Sequence, residues 1–401
     1  METAFSKETH RVRSAIEKQV IQYLYTDREL SCAALSERIE KSVPMVMHAL
    51  NQLIKRGWVR STGYAPSTGG RKPMLYSLMP EAQYIVAVAM DQLFTRIQVL
   101  DWLHQPVSHL ETIALPLHDN EQATDTLVKA IQGHLQASAI DQSRILGIGI
   151  GMPGFVHIQK GVNYTFLPVP HGEESLRAYL EKELHVPVLI DNDSSLIALA
   201  ELRFGMARGH KHAMVINIGW GTGLGMIVNG TLFRGHTGYA GEFSHIPISD
   251  NKILCECGKR GCLETETSLL LLAEKAKEEI RQGKVSQLST LFKANMHAVD
   301  AVLEAANNGD EYAVELLSDV GYKLGKGIAI LIHIMNPELV VLSGRGAKAG
   351  KILLAPIQHA LNKYCIPRLL ENTEIVVSKL GFEASLIGAA NLVMENLYEL
   401  I

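Results

Sequence analysis

Three of the five cysteines in this chain fall within one eight-residue stretch, Cys255-Glu256-Cys257-Gly258-Lys259-Arg260-Gly261-Cys262, and His245 stands ten residues before it. Three soft sulfurs and one imidazole are the donor set of a closed, tetrahedral structural zinc site. Such a site constrains the fold, because the loop must turn back until four side chains converge on one point. Gly258 and Gly261 supply the backbone freedom for that reversal. A disulfide is the competing reading, but a Cys-x-Cys pair is too tight to bridge without strain. The N-terminal residues also carry no export signal, and reduced thiols are expected. Cys32 and Cys365 stand alone and read as small packing residues.

At 401 residues, with 47% hydrophobic and 20% charged, the chain has room for two or three domains with sizeable cores. The start, Met1-Glu2-Thr3-Ala4-Phe5-Ser6-Lys7-Glu8, is charged, and no apolar run approaches the roughly 18 residues of a membrane span. A cytoplasmic protein without a membrane segment is expected. Charge is uneven: residues 1–80 hold 12 Lys and Arg against 7 Asp and Glu, a net of +5 in a chain of net −4. A basic head on an acidic body suits a nucleic-acid-binding module joined to a larger domain.

The head has a readable order. Val12, Ile16, Val20 and Leu24 share one face of a helix predicted over Glu8–Tyr25. Ser31 caps a short helix with Ala34, Leu35 and Ile39. After the turn Glu40-Lys41-Ser42, Pro44 opens a third helix that points Val46, Leu50, Leu53 and Ile54 inward. Its outer, groove-facing set is Lys41, Ser42, Met45, His48, Asn51, Gln52 and Lys55. Gly57 ends the helix, Trp58–Ser61 begins a strand, and Met74–Leu78 is its partner, across a tip containing Gly69-Gly70-Arg71-Lys72-Pro73. Three helices and a ribbon describe a winged helix-turn-helix. Helix spacing alone would also suit a protein-interaction domain. The extended tip, with Arg71 and Lys72 as its two cations, instead suits a narrow, negative minor groove.

From Tyr84 the rhythm becomes that of an α/β body. Strands are predicted at Tyr84–Met90, Thr95–Leu100, Val107–Ala114, Ile145–Gly151, Val186–Ile190, Ala213–Ile218 and Leu224–Val228. Helices are predicted at Asn120–Ser138, Leu269–Arg281, Ala298–Asn307 and Tyr312–Met335. The series is compatible with two similar halves. The long helices after Leu269 can serve as oligomerisation elements or as core.

The cysteine loop, flanked by Glu242-Phe243-Ser244-His245 and Glu264-Thr265-Glu266-Thr267-Ser268, resembles the signature of the ROK family of bacterial repressors and sugar kinases. The wing tip is similar to that of ROK repressors, with their Gly-Arg-x-Pro pattern. The resemblance covers nearly the whole chain. It implies a winged helix-turn-helix over 1–80 and a two-lobed, ribonuclease-H-like body of the sugar kinase, Hsp70 and actin superfamily. Its lobes are expected over 81–190 and 191–401, with a structural zinc loop in the second.

Three places bear on repressor against kinase. Where the enzymes carry Asp-x-Gly-Gly-Thr-Lys to wrap ATP phosphates, this chain reads Ala89-Met90-Asp91-Gln92-Leu93-Phe94. A carboxylate and two bulky side chains there oppose phosphate binding. Gly221-Thr222-Gly223 resembles the second phosphate loop, intact, and reads as a hairpin that can hold phosphate but need not. Asn192 and Asp193 match the sugar-binding pair whose Asp is the catalytic base of the kinases; on local grounds they are equally a turn and a helix cap. Glu242, His245 and Glu264 match the family's other sugar contacts. Two departures stand out near them: Ser244 replaces a glycine, and Leu167-Pro168-Val169-Pro170 replaces an Asn-Leu-Pro-Gly-Trp-like contact. Ser343-Gly344-Arg345 replaces the Gly-Gly pair of the adenosine-side strand. The expectation is a non-enzymatic repressor with one structural zinc. It binds operator DNA as a dimer or tetramer and a sugar or sugar phosphate as effector. An active sugar kinase with an appended head, or control by a protein partner, are the alternatives.

Overall fold

Apolar spacing in the head becomes three helices in the computed structural model, which describes residues 15–65, 72–170, 172–294 and 296–400. They are α1 (Ala15–Asp27), α2 (Cys32–Ile39) and α3 (Val43–Lys55). The expected start of the first helix at Glu8, with Val12, lies outside the described residues. Ser31 caps α2 by accepting the Ala34 N–H, and Pro44 stands in the first turn of α3, where its missing N–H costs nothing. Val20, Ile21, Leu24, Leu35, Val46, Leu50 and Leu53 form the head's buried core. Ile54, expected inward, is exposed: the buried stripe of α3 runs through Val46, Ala49, Leu50 and Leu53, and Ile54 lies about 100° round the helix from Leu53. Strands β1 (Leu30–Ser31), β2 (Val59–Tyr64) and β3 (Met74–Leu78) pair antiparallel in the order β1-β3-β2. Two-residue β1 is too short to show alternation and left no sign in the residue pattern. The wing tip, including Arg71, lies outside the described residues.

The chain divides into two compact units, the first of which includes the head. Met1–Gly154, Ile158–Asp191 and Ala389–Ile401 form one, Phe155–His157 and Asn192–Gly388 the other. In the first, β4 (Tyr84–Met90), β5 (Phe94–Asp101) and β6 (Glu111–Ala114) make an antiparallel meander. Helix α4 (Ala123–Ala137) leads to β7 (Ile145–Met152), which pairs parallel with β4. Short β8 (Val156–His157), which is counted with the other unit, is followed by β9 (Val162–Asn163), helix α5 (Leu176–Leu184) and β10 (Val188–Asn192), giving the sheet order β10-β7-β4-β5-β6.

The second unit opens with α6 (Asp193–Phe204) and repeats the plan. β11 (Ala213–Ile218), β12 (Thr222–Val228) and β13 (Thr231–Phe233) are the meander. After the loop come α7 (Glu264–Thr267), α8 (Leu269–Arg281), α9 (Leu288–Leu291), α10 (Ala298–Asn307) and α11 (Glu311–Met335). β14 (Leu339–Ser343), α12 (Gly350–Tyr364), α13 (Pro367–Leu370) and β15 (Glu374–Val377) complete the sheet in the order β13-β12-β11-β14-β15. Strand for strand this is the order of the first sheet. Val215, Ile227, Leu339 and Val341 pack against Ile197 and Ala198 of α6 to form its core. Leu317, Leu324, Ile328 and Ile332 of α11 are buried too, so that face of the long helix is core.

Helices α14 (Ala384–Glu395) and α15 (Leu397–Leu400) close the chain, and the residues of the first unit hold the head. Lys18 and Gln22 of α1 donate to the carbonyls of Tyr398 and Met394, each at 3.0 Å. Trp58 meets Trp102 edge-on at 5.3 Å, and the Tyr25 ring lies 4.1 Å from that of His104. Among the described residues no helix is long and apolar enough to cross a membrane.

Candidate functional site

The cysteine loop folds back through isolated bridges that pair Pro247 with Cys262 and Leu254 with Arg260. Gly258 and Gly261 take φ of +81° and +80° there, a region side chains disfavour. The fold brings His245, Cys255, Cys257 and Cys262 together, with one ligand atom from each lying within 4.8 Å of the others. Cys255 Sγ is 3.6 Å from His245 Nδ1, and the Cys257 and Cys262 sulfurs are 3.5 Å apart. Four donors of this kind, with Cys255 and Cys262 buried, can hold a metal ion. The other ring nitrogen of His245 faces Glu242, Nε2 to Oε2 at 3.6 Å. One imidazole therefore joins the cysteine loop to a carboxylate cluster, and a metal on Nδ1 would fix how Nε2 is presented.

That cluster is assembled from three separate parts of the second unit. Asn192 is the N-cap of α6: its side-chain oxygen accepts the Ser194 and Ser195 N–H groups at 3.0 and 3.2 Å. Asp193, the first residue of the helix, accepts from Asn217 Nδ2 at 3.2 Å. Glu264, at the start of α7, accepts the Thr222 N–H at 2.9 Å. A Cβ on Gly221 would come within 2.4 Å of Glu264 Oε1, so a side chain there would push this carboxylate aside. Ser244, where the resemblance expects glycine, is buried beside Glu264 and favours its charged form.

Burial, with the charge of Asp193 added, pushes Glu242 up to about 7. Burial also pushes Glu264 up to about 7, against the Thr222 N–H that favours its charged form. A cluster poised between neutral and ionised offers both O–H donors and carboxylate acceptors, the complement of vicinal hydroxyls. Of the five residues matched to sugar contacts, Asp193, Glu242, His245 and Glu264 are thus linked by contact or charge, while the Asn192 carbonyl is spent on the helix. Sequence reasoning missed Asn217 and the contact of the Thr222 N–H with Glu264, although Thr222 and Ser244 themselves were marked. Asn217 had left a trace, as the one polar residue in the apolar strand β11, and it is buried.

The stretch matched to the first phosphate loop is the turn between β4 and β5. Asp91 Oδ1 accepts the N–H groups of Leu93 and Phe94 at 2.9 and 2.7 Å, and the Asp91 N–H donates to Phe94 O at 2.9 Å. The turn's own carboxylate takes the donors that a phosphate would need. At the end of β14, Arg345 is buried with its guanidinium 4.5 Å from both the Trp220 and the Phe382 rings, and paired with Asp300 at 2.6 Å.

Residues 110–396 match the ROK family, more than half of the chain, and residues 13–60 match the winged helix-turn-helix DNA-binding family. The chain belongs to the ROK family. A glucokinase of Halalkalibacterium halodurans is 36% identical over 273 residues, 68% of this chain and 82% of the enzyme. The xylose repressor of Caldicellulosiruptor bescii is 26% identical over 378 residues, 94% of this chain and 95% of the repressor. A crystal structure of a ROK family transcriptional regulator, a homologue of the E. coli MLC protein, covers 96% of both chains at a TM-score of 0.73 and 25% identity.

This ROK chain thus carries a winged helix-turn-helix head, and its match to the xylose repressor runs over nearly the whole length of both chains. On α3, Ser42, Met45, His48, Asn51 and Lys55 are exposed, Gln52 is half-buried, and Lys72 at the wing is exposed. Ser42 makes no side-chain cap, which leaves its hydroxyl on the outer surface.

Proposed function

We propose that this ROK chain is a sugar-responsive transcriptional repressor whose body binds a sugar or sugar phosphate without phosphorylating it. Asp193, Glu242, His245 and Glu264, with the Asn192 amide, receive the hydroxyls. Zinc on His245, Cys255, Cys257 and Cys262 holds that histidine in place. Residues 1–80 form the DNA-binding domain, with Ser42, Met45, His48, Asn51 and Gln52 in a major groove and Arg71 and Lys72 in the adjoining minor groove. Residues 81–190 and 191–401 are the two lobes, except that Ala389–Ile401 returns to the first. The protein acts in the cytoplasm as a dimer or tetramer whose paired heads read a pseudo-palindromic operator.

The observation that carries the non-enzymatic reading is the Asp91 carboxylate bound to the Leu93 and Phe94 N–H groups. Phosphoryl transfer depends on positioning and neutralising the γ-phosphate, and here a negative side chain is fixed in the turn that should do so. A second reading, a sugar kinase with an appended head, is favoured by the 36% identity to a glucokinase and by intact Gly221-Thr222-Gly223. A coupled assay with the full chain, Mg-ATP and a hexose panel separates the two. No sugar-dependent ATP consumption is expected, and consumption that disappears in Asp193→Ala would restore the kinase. For the head, Arg71→Ala/Lys72→Ala should weaken operator binding and flatten its salt dependence, because fewer counterions are released.

A further inference from the structure

A second group of metal-binding side chains lies in the first unit, far in sequence from the cysteine loop. β5 leads through residues 102–110 to β6. His109 and Glu111 stand at the end of that connection, and His134 projects from α4. One ligand atom from each lies within 4.8 Å of the others. Nδ1 of His134 is 2.7 Å from Glu111 Oε2, and the His109 and His134 ring centroids are 4.9 Å apart. The His134 side chain is fully buried, that of Glu111 is 31% exposed, and His109 is on the surface. The group therefore has a fixed inner wall and one side open to water.

The ring of His134 is held from behind. Ser108 Oγ accepts the Val99 N–H at 2.9 Å and lies 3.1 Å from His109 O and 2.9 Å from His134 Nε2. With Nε2 engaged by Ser108, Nδ1 is the atom aimed at the Glu111 carboxylate. A hydrogen bond on the far ring nitrogen is the outer support that metal-bound histidines have.

We propose that His109, Glu111 and His134 form an open site for a divalent transition metal of the zinc class, separate from the cysteine loop. Two imidazoles and a carboxylate are borderline donors suited to such ions, with the remaining position left to water. The site would also act on the head. The same connection carries Trp102, edge-on to Trp58, and His104, in tilted contact with the Tyr25 ring. Pinning its far end to α4 stiffens the support on which the DNA-binding module rests.

Cobalt titration of the tag-free, metal-stripped full chain tests this. Thiolate ligands give Co2+ intense charge-transfer absorption, whereas nitrogen and oxygen ligands give only weaker d–d bands. Two kinds of uptake are expected, one with thiolate bands and one without. His109→Ala/Glu111→Gln, whose changes avoid the buried histidine, should lose the second and keep the first. Cys257→Ala should do the reverse, so failure of either site is read independently. Binding of the second equivalent should also change the fluorescence of the Trp58–Trp102 pair. Uptake confined to the thiolate site would overturn the proposal, with a proton in place of the metal between His134 and Glu111. A second equivalent that survives His109→Ala/Glu111→Gln would overturn it equally.

Discussion

The β4–β5 and β11–β12 turns occupy the same place in two sheets of the same strand order, yet their N–H groups are treated differently. In the first, Asp91 belongs to the turn itself and closes it with two hydrogen bonds. In the second, Gly221 keeps the turn open, and the carboxylate that takes the Thr222 N–H is Glu264, forty-two residues on. The first hairpin is self-sufficient. The second is complete only when the segment after the cysteine loop is in position, because Cys262 precedes Glu264 by two residues. Two sheets of one strand order thus hold one turn that closes on itself and one that is coupled to a carboxylate cluster.

Metal removal should separate the two most strongly. Structural zinc sites contribute on the order of 10 kcal/mol to the folding of small modules, and a share of several kcal/mol is expected here. Chelation, or Cys257→Ala, should therefore speed hydrogen exchange at the Thr222 amide and leave the Leu93 and Phe94 amides protected. Equal loss of protection in both turns would break the distinction.

Acid should act on the opposite half. Burial holds the His104 pKa down, from 6.5 to about 4, opposed by its bond to Tyr25 O and assisted by Arg28. The unfolded imidazole takes a proton below about 6.5 while the folded one resists until about 4. This contribution is therefore complete above pH 6.5 and declines toward pH 4, by at most roughly 3 kcal/mol. His104→Asn, suited to the left-handed backbone at this position (φ 61°), should flatten the pH dependence of Trp58–Trp102 fluorescence between those values.

Asp193→Ala should remove the sugar response and spare the head. A ligand at 100 times its dissociation constant stabilises a protein by about 2.7 kcal/mol, and the thermal shift from a responsive sugar should vanish in this variant. Operator affinity without sugar should match wild type. Loss of both would mean that Asp193 serves the fold through Asn217 rather than the ligand.

The smallest effect expected is at Asp91. Asp91→Ala leaves the Leu93 and Phe94 N–H groups to water in a half-buried turn, a cost of about 1–2 kcal/mol in the melting curve. ATP-dependent turnover should not appear, since Leu93 and Phe94 remain. Turnover in Asp91→Gly/Gln92→Gly, but not in wild type, would show how little separates the first turn from a phosphate loop.

Local chemistry was legible in the sequence. Cys255-x-Cys257 with Gly258 and Gly261 announced a converging donor set, since few backbones bring three sulfurs so close for any other reason. Ser31 and Pro44 marked helix starts because capping and a missing N–H act within one turn. Strands such as Tyr84–Met90 and Ala213–Ile218 showed themselves as apolar runs between breakers. The replacement of the phosphate-loop glycines was visible too, though not that Asp91 would bind its own turn. Whatever depends on residues far apart in the chain was decided only by tertiary structure. That Asn192 caps α6 through its side-chain carbonyl became visible only with the helix in place. Asn217 gained a role only when β11 came beside the start of α6, and Glu264 only when α7 met the β11–β12 turn. Nothing in the spacing of His109, Glu111 and His134 places α4 against the end of the connection after β5. Sequence determines propensity, capping and donor chemistry because those act between near neighbours. It leaves open which distant neighbours meet, since that follows from the packing of whole sheets and helices into one low-energy core.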